Sequence, residues 1–246
     1  MPLKMAVESR GLYFNESHRK LLTLSAGHFK VAKSDFVTIL RFVPNPYRSI
    51  MKVYGLTGGI GSGKTTIRQL IEALGIPTLD ADAIGRELVA PNQPGLVKIV
   101  QTFGSDVLTE QGELNRAALR QRILENPDAK HKLEAILHPM IRERTQAAIE
   151  QLRRQNPPAI VVEIPLLAET GKPDYIDETI VLDLPEAMQL QRALQRGTLP
   201  EADIRRLMEN QASREARLAI ADHVIRTDPP LERIKQTLQT LLEDRN

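Results

Sequence analysis

Gly58-Gly59-Ile60-Gly61-Ser62-Gly63-Lys64-Thr65 is the stretch of this chain in which residue type and spacing together specify a chemistry. It fits G-x-x-x-x-G-K-[ST], and each fixed position has a physical reason. The glycines let the backbone wrap an anion with its N–H groups turned inward, in conformations that a Cβ would block. Lys64 supplies a point charge to the β- and γ-phosphates of a nucleotide, and the Thr65 hydroxyl can ligate Mg²⁺. A helix beginning near Lys64 adds the positive end of its dipole. The expected nucleotide contacts are Gly58, Gly61, Ser62, Gly63, Lys64, Thr65 and Thr66. Mg²⁺, arriving with ATP, is the metal implied, and no histidine cluster suggests another.

Other candidates are less specific. Asp80-Ala81-Asp82 closes a short apolar run, and in extended chain its two carboxylates share one side. Ligands of open α/β sheets bind beyond the carboxyl ends of strands, which would bring these acids to the glycine loop. Asp82 could equally serve as the N-cap of a helix over Ala83–Val89. Arg192 and Arg196 lie four apart on one helical face, either as part of a lid over a triphosphate or as a solvated helix end. Glu163 ends another strand, where it could hold the metal's water shell, touch an acceptor, or be a turn residue. His138-Pro139 reads as punctuation between two helices, with Pro139 opening the second.

These residues need elements to hold them. Met51–Leu56, Ile76–Leu79, Ala159–Val162, Thr179–Leu182 and, more weakly, Ala221–Ile225 read as buried strands. Helical spacing marks Thr65–Leu74, closed by Gly75, and then Pro94–Phe103, Arg116–Glu125, Pro127–Leu137 and Pro139–Arg154. Pro185–Gln195, Pro200–Gln211 and Leu231–Leu242 follow. Strands alternating with helices predict a parallel sheet covered on both faces. The helical stretch at about residues 83–155 is too long for a simple crossover and reads as an insertion on the acceptor side.

Residues 1–50 carry eight Lys/Arg against three Asp/Glu, while the remainder carries 25 against 28. The basic character is therefore confined to an N-terminal extension, expected to stand outside the core, and 51–246 lacks the footprint of a nucleic-acid binder. No apolar stretch approaches membrane-spanning length. The absence of cysteine excludes disulfides, thiol nucleophiles and thiolate metal sites, and it suits a reducing cytoplasm.

Over nearly all of 51–246 the chain resembles the bacterial dephospho-CoA kinases. The resemblance rests on Leu56–Thr65, Leu79-Asp80-Ala81-Asp82, Phe103-Gly104, Leu137-His138-Pro139, Ile164-Pro165-Leu166-Leu167-Ala168-Glu169 and Gln211–Leu218, in that order and spacing. It implies a P-loop three-layer α/β sandwich with a parallel sheet, a helical acceptor-side insertion and a lid at about 186–218. It implies a cytoplasmic enzyme, monomeric or weakly homo-oligomeric, with ATP and dephospho-CoA as its partners. Asp82 is then the base at the acceptor's ribose hydroxyl, Lys64 and the loop bind ATP, Arg192 and Arg196 are lid arginines, and His138 and Pro139 belong to the acceptor side. Two departures stand out: Thr198 follows Arg196-Gly197 where an acidic residue commonly follows the arginine, and Thr227 stands where asparagine is usual. A shikimate-type kinase shares the loop and Asp-x-Asp, but Gly-Gly occurs only at Gly58-Gly59, so no second glycine-rich acceptor loop is present. A GTP switch would explain Asp82-Ala83-Ile84-Gly85 as D-x-x-G, yet no Asn-Lys-x-Asp signature accompanies it.

Overall fold

Aliphatic runs without polar alternation belong in strands covered on both faces. In the computed structural model, which describes residues 7–8, 11–12 and 51–243, that is where they lie. The chain divides into two units, Met1–Ile50 and Met51–Asn246. In the first, Val7–Glu8 pairs antiparallel with Gly11–Leu12; most of the N-terminal extension lies outside the described residues. In the second, Lys52–Gly58 (β1), Thr78–Asp80 (β2), Ala159–Glu163 (β3), Glu178–Asp183 (β4) and His223–Arg226 (β5) form a parallel sheet in the order β2-β3-β1-β4-β5.

The period-2 alternation of strands splits the core between two faces. Tyr54 and Leu56 of β1, Val161 of β3 and Ile180 and Leu182 of β4 point to one face. There they meet Ile67 and Ile71 of α1 (Lys64–Ala73) and Ile234 and Leu238 of α10 (Leu231–Glu243). Val53, Ile160 and Val162 point the other way, against Ile149 of α5 (Pro127–Arg153). A third cluster of Val89, Ile99, Val107 and Leu119 joins α3 (Pro94–Phe103) and α4 (Arg116–Glu125) beside the first half of α5. Helix α2 (Ala81–Leu88) precedes them. No helix among the described residues is long and apolar enough to cross a membrane.

The predicted elements are present with shifted ends, and two short helices escape the sequence reading: α6 (Leu167–Thr170) and α9 (Arg214–Ala219). One expectation is overturned. His138-Pro139 does not separate two helices, because α5 runs unbroken from Pro127 to Arg153 with Pro139 inside it. Proline in a helix interior costs about 3 kcal/mol. Here Leu133, Ile136 and Leu137 are packed before it and Ile149 and Leu152 after it, in two different clusters, and burial on both sides offsets the break.

Candidate functional site

The glycine loop lies between β1 and α1, at the carboxyl end of the middle strand. Gly63 (φ 91°) takes the N-cap position of α1 and has no side chain to cap it, so the first turn at Lys64, Thr65 and Thr66 is left open to an anion. Lys64 folds back on the loop, its Nζ donating to the carbonyls of Gly58 at 2.7 Å and Gly59 at 3.0 Å. Enclosure of the ammonium pushes its pKa down to about 8. The carboxylates of Glu163 and Asp82 pull it up, while the guanidinium groups of Arg196 and Arg217 add to the depression. Ser62 turns inward: its buried hydroxyl has no hydrogen-bond partner and its amide donates to the Gly59 carbonyl.

The outer face of the loop is closed by packing that the sequence did not announce. A methyl group at Gly61 (φ 73°) would lie 2.3 Å from the carbonyl oxygen of Gln189 in α7 (Glu186–Gln195). One at Gly59 would lie 2.4 Å from Oε1 of Gln189 and 3.0 Å from the buried Arg217 of α9. Gly61→Ala therefore meets a backbone clash as well as the left-handed cost of about 1–2 kcal/mol. Gly75→Ala is the control, since Gly75 also has positive φ (78°) but open space around it. Gly61→Ala is expected to melt lower than Gly75→Ala and to lose nucleotide affinity. Equal melting temperatures would mean that the loop is not held against Gln189.

Asp80 and Asp82 divide the two roles that sequence left open for Asp82. Helix α2 begins at Ala81, and Asp80 is its N-cap, accepting from the Ala83 amide at 2.8 Å. Asp82 falls in the first turn and is exposed, so the capping alternative for it is withdrawn. The reason is register: Ala81 and Ile84 are buried, which fixes the start of the helix two residues earlier than expected. Partial enclosure and the charge of Asp80 raise the pKa of Asp82, against weaker opposition from Arg86 and Lys64. Glu163, at the end of β3, is buried and also raised, first by burial and then by Asp80. Asp80 thus crowds Asp82 and Glu163, the two carboxylates that act on the Lys64 ammonium, and Glu163 also pairs with Arg68 at 3.1 Å.

Three adjoining cavities organise these groups. One of about 390 Å³ is lined by the loop residues Gly61, Gly63, Lys64 and Thr65 together with Arg196 and Gln211. It shares Gly61, Gly63 and Arg196 with a second of about 450 Å³, which also takes in Thr66, Arg192, Thr227 and Pro229-Pro230. On its other side it shares Leu166 with a third of about 350 Å³, bordered by Asp82, His138, Arg142, Lys172 and Tyr175. Asp82 and His138, far apart in sequence, meet there. Pro139 does not line it: one position along a helix turns a side chain by about 100°, away from the wall that His138 forms.

Arg192 and Arg196 are unlike. Arg192 donates to the Thr227 carbonyl at 2.8 Å and fixes the wall of the second cavity. Arg196, at the C-cap of α7, is exposed over the loop and reaches no carboxylate among the described residues. The Thr227 amide donates to the Asp183 carbonyl at 3.0 Å, and the Asp183 carboxylate takes both ends of the Arg214 guanidinium at 2.7 Å. That bidentate pair holds the Asp183 carboxyl below its usual range. Thr65 lines the loop cavity, and no group of three His, Cys, Asp or Glu among the described residues could hold a metal by itself. Such a site fits Mg²⁺ that enters on a nucleotide and keeps most of its water.

The sequence reading missed Gln189, Gln211 and Arg217, which support the loop, and Arg142, Lys172 and Tyr175 at the third cavity. Gln211 and Arg217 do sit in the late run Gln211–Leu218 that carried part of the resemblance.

The sequence profile of the dephospho-CoA kinases matches residues 52–232. The dephospho-CoA kinase of Hydrogenovibrio crunogenus is 62% identical over 192 residues, 78% of this chain and 97% of that protein. That of Vibrio vulnificus is 42% identical over 190 residues, 77% of this chain and 93% of the relative. Among solved structures, the dephospho-CoA kinase from Campylobacter jejuni superposes with a TM-score of 0.61 at 26% identity, covering 80% of this chain and all of that one.

Proposed function

This chain belongs to the dephospho-CoA kinase family, and on that premise we propose a division of labour among its three cavities. The reaction is transfer of the terminal phosphoryl group of ATP to the ribose 3′-hydroxyl of dephospho-CoA, giving CoA and ADP. The observation that carries the assignment is the meeting of the loop cavity and the Asp82 cavity at Leu166, with Lys64 on one side and the carboxylate on the other.

ATP lies with its phosphates on the loop and its nucleoside end in the cavity walled by Arg192, Thr227 and Pro229-Pro230. Its phosphates displace the Gly58 and Gly59 carbonyls from the Lys64 ammonium. Arg196 is free to swing onto the transferring group. Thr65 would hold Mg²⁺, which would neutralise phosphate charge, and Glu163 and Asp80 are the carboxylates that would be available to its water. Asp82 orients the acceptor hydroxyl and takes its proton, and its raised pKa makes it the better acceptor. Arg142 and Lys172 give the acceptor cavity the positive charge a diphosphate needs, and His138 borders it. The helices over about 83–155 form the acceptor side, the stretch at about 186–218 the lid, and Pro139 acts only through the shape of α5. Phosphoryl transfer of this kind needs positioning and charge neutralisation more than covalent help. The enzyme so proposed is cytoplasmic, a monomer or weak homo-oligomer, and acts on ATP and dephospho-CoA without nucleic acid.

The test is ADP release with ATP-Mg²⁺ and a panel of dephospho-CoA, adenosine, nucleoside monophosphates and shikimate. Turnover is expected to be highest on dephospho-CoA. Turnover on another member with none on dephospho-CoA would overturn the assignment.

A further inference from the structure

The foot of the lid, between α8 (Glu201–Glu209) and α9, is tied to three places at once. The Ile60 amide, at the tip of the phosphate loop, donates to Oε1 of Gln211 at 2.9 Å. The next residue, Ala212, donates its amide to Oε1 of Glu169 in α6 at 2.7 Å. The Ala212 carbonyl accepts from the guanidinium of Arg217, which is buried under Gly59. Two consecutive residues therefore join the tip of the loop, its underside, and a short helix whose ends border the acceptor cavity at Leu166, Thr170 and Gly171.

Each bond has a reason to matter. Ile60 is flanked by Gly59 and Gly61, so its peptide plane is poorly fixed by its own backbone. The Gln211 carboxamide supplies the acceptor that selects one orientation. Gln211 also closes α8, its amide donating to the Met208 carbonyl at 3.2 Å, so its side chain moves with the lid. Glu169 receives the neighbouring amide from an exposed position, where nothing about core packing requires a carboxylate.

We propose that Gln211 is a positioning residue for phosphoryl transfer: it acts through the Ile60 amide to set the loop for the triphosphate. Through Ala212 and Glu169 the same junction links the loop to the acceptor-side helix α6. The inference rests on the kinase reading given above.

The experiment compares Gln211→Met, which keeps length and removes the acceptor, with Glu169→Ala and Glu169→Gln, the last of which keeps one. Steady-state constants for ATP and dephospho-CoA, ADP affinity by calorimetry, and melting temperature are measured for each. Gln211→Met is expected to raise the KM for ATP and weaken ADP by roughly three- to tenfold, with a fall in kcat, at nearly unchanged melting temperature. Glu169→Ala is expected to raise the KM for both substrates, and Glu169→Gln to recover most of that loss. Wild-type constants in Gln211→Met overturn the proposal, as does a loss of activity that only follows the folded fraction. If Gln211→Met does not fold, equal behaviour of the two Glu169 variants overturns it instead. Failure of the wild-type protein to use dephospho-CoA would count against the substrate assignment alone, since ADP affinity still reports on Gln211.

Discussion

Lys64→Met is expected to lower kcat/KM for ATP by roughly 10²–10³, the loss usual when a preorganised charge is withdrawn from a transferring group, without destabilising the protein. The second half of that expectation comes from the state of the ammonium. Its pKa is pushed down to about 8 by enclosure, so the folded protein holds the charge at a cost. The ordinary lysine value, 10.5, applies when the chain is unfolded. Between about pH 8 and 10.5 the unfolded state therefore binds more protons, and this residue makes the wild-type protein gain stability as pH rises. The variant lacks that gain, so the difference between the two melting curves should narrow or reverse across the window. The phosphates of bound ATP add negative charge beside the ammonium and raise its pKa again. Wild-type ATP affinity should then fall with pH above about 8, approaching tenfold per unit, with proton uptake on binding. Calorimetry at several pH values in buffers of different ionisation enthalpy measures both effects. Wild-type and variant affinities that change in parallel with pH would show that Lys64 is not the group that titrates.

The sequence made the parts of this site legible where the signal is local. Gly58 through Thr65 announce their geometry because anion binding by backbone amides restricts the types allowed at each step. The stop of α1 at Gly75 (φ 78°) is legible for the same reason. The failures have a common cause in contacts between distant residues. Pro139 obeys a local rule for breaking helices and is overruled by two clusters that grip α5 on either side. Asp80 and Asp82 are chemically alike, and only the burial of Ala81 and Ile84 decides which of them caps. Gln211 meets Ile60 across 151 positions, and Gln189 and Arg217 meet Gly59 with no periodicity to reveal them. Glutamine and arginine are ordinary surface choices, so their types carried no warning either.

The register of Asp82 makes its substitution the sharpest test of the acceptor side. Because Asp80 carries the cap, Asp80→Ala should cost about 1 kcal/mol of stability, whereas Asp82 has no cap to lose. Asp82 in the first turn gains about 0.3–1 kcal/mol from the helix dipole, but it stands beside Asp80 in a partly enclosed corner that raises its pKa. A carboxyl whose folded pKa is raised favours the folded state only while it is protonated. That contribution is present at low pH and is lost as pH climbs from 3.8 through the folded value. Near neutral pH the two effects oppose each other, and Asp82→Asn should melt close to the wild-type protein. Its chemistry should suffer: withdrawal of a positioned acid–base group lowers kcat by roughly 10²–10⁴. The loose transition state tempers the loss, because the hydroxyl is not ionised early and an amide can still orient it. Asp82→Asn should therefore retain more activity than Asp82→Ala, with ATP affinity little changed in either. A falling kcat at constant melting temperature and constant ATP affinity is what a residue facing the acceptor produces and a structural residue does not. A wild-type kcat in Asp82→Asn would remove Asp82 from the chemistry and leave the crowded carboxylates at the ends of β2 and β3, Asp80 and Glu163, to explain acceptor activation.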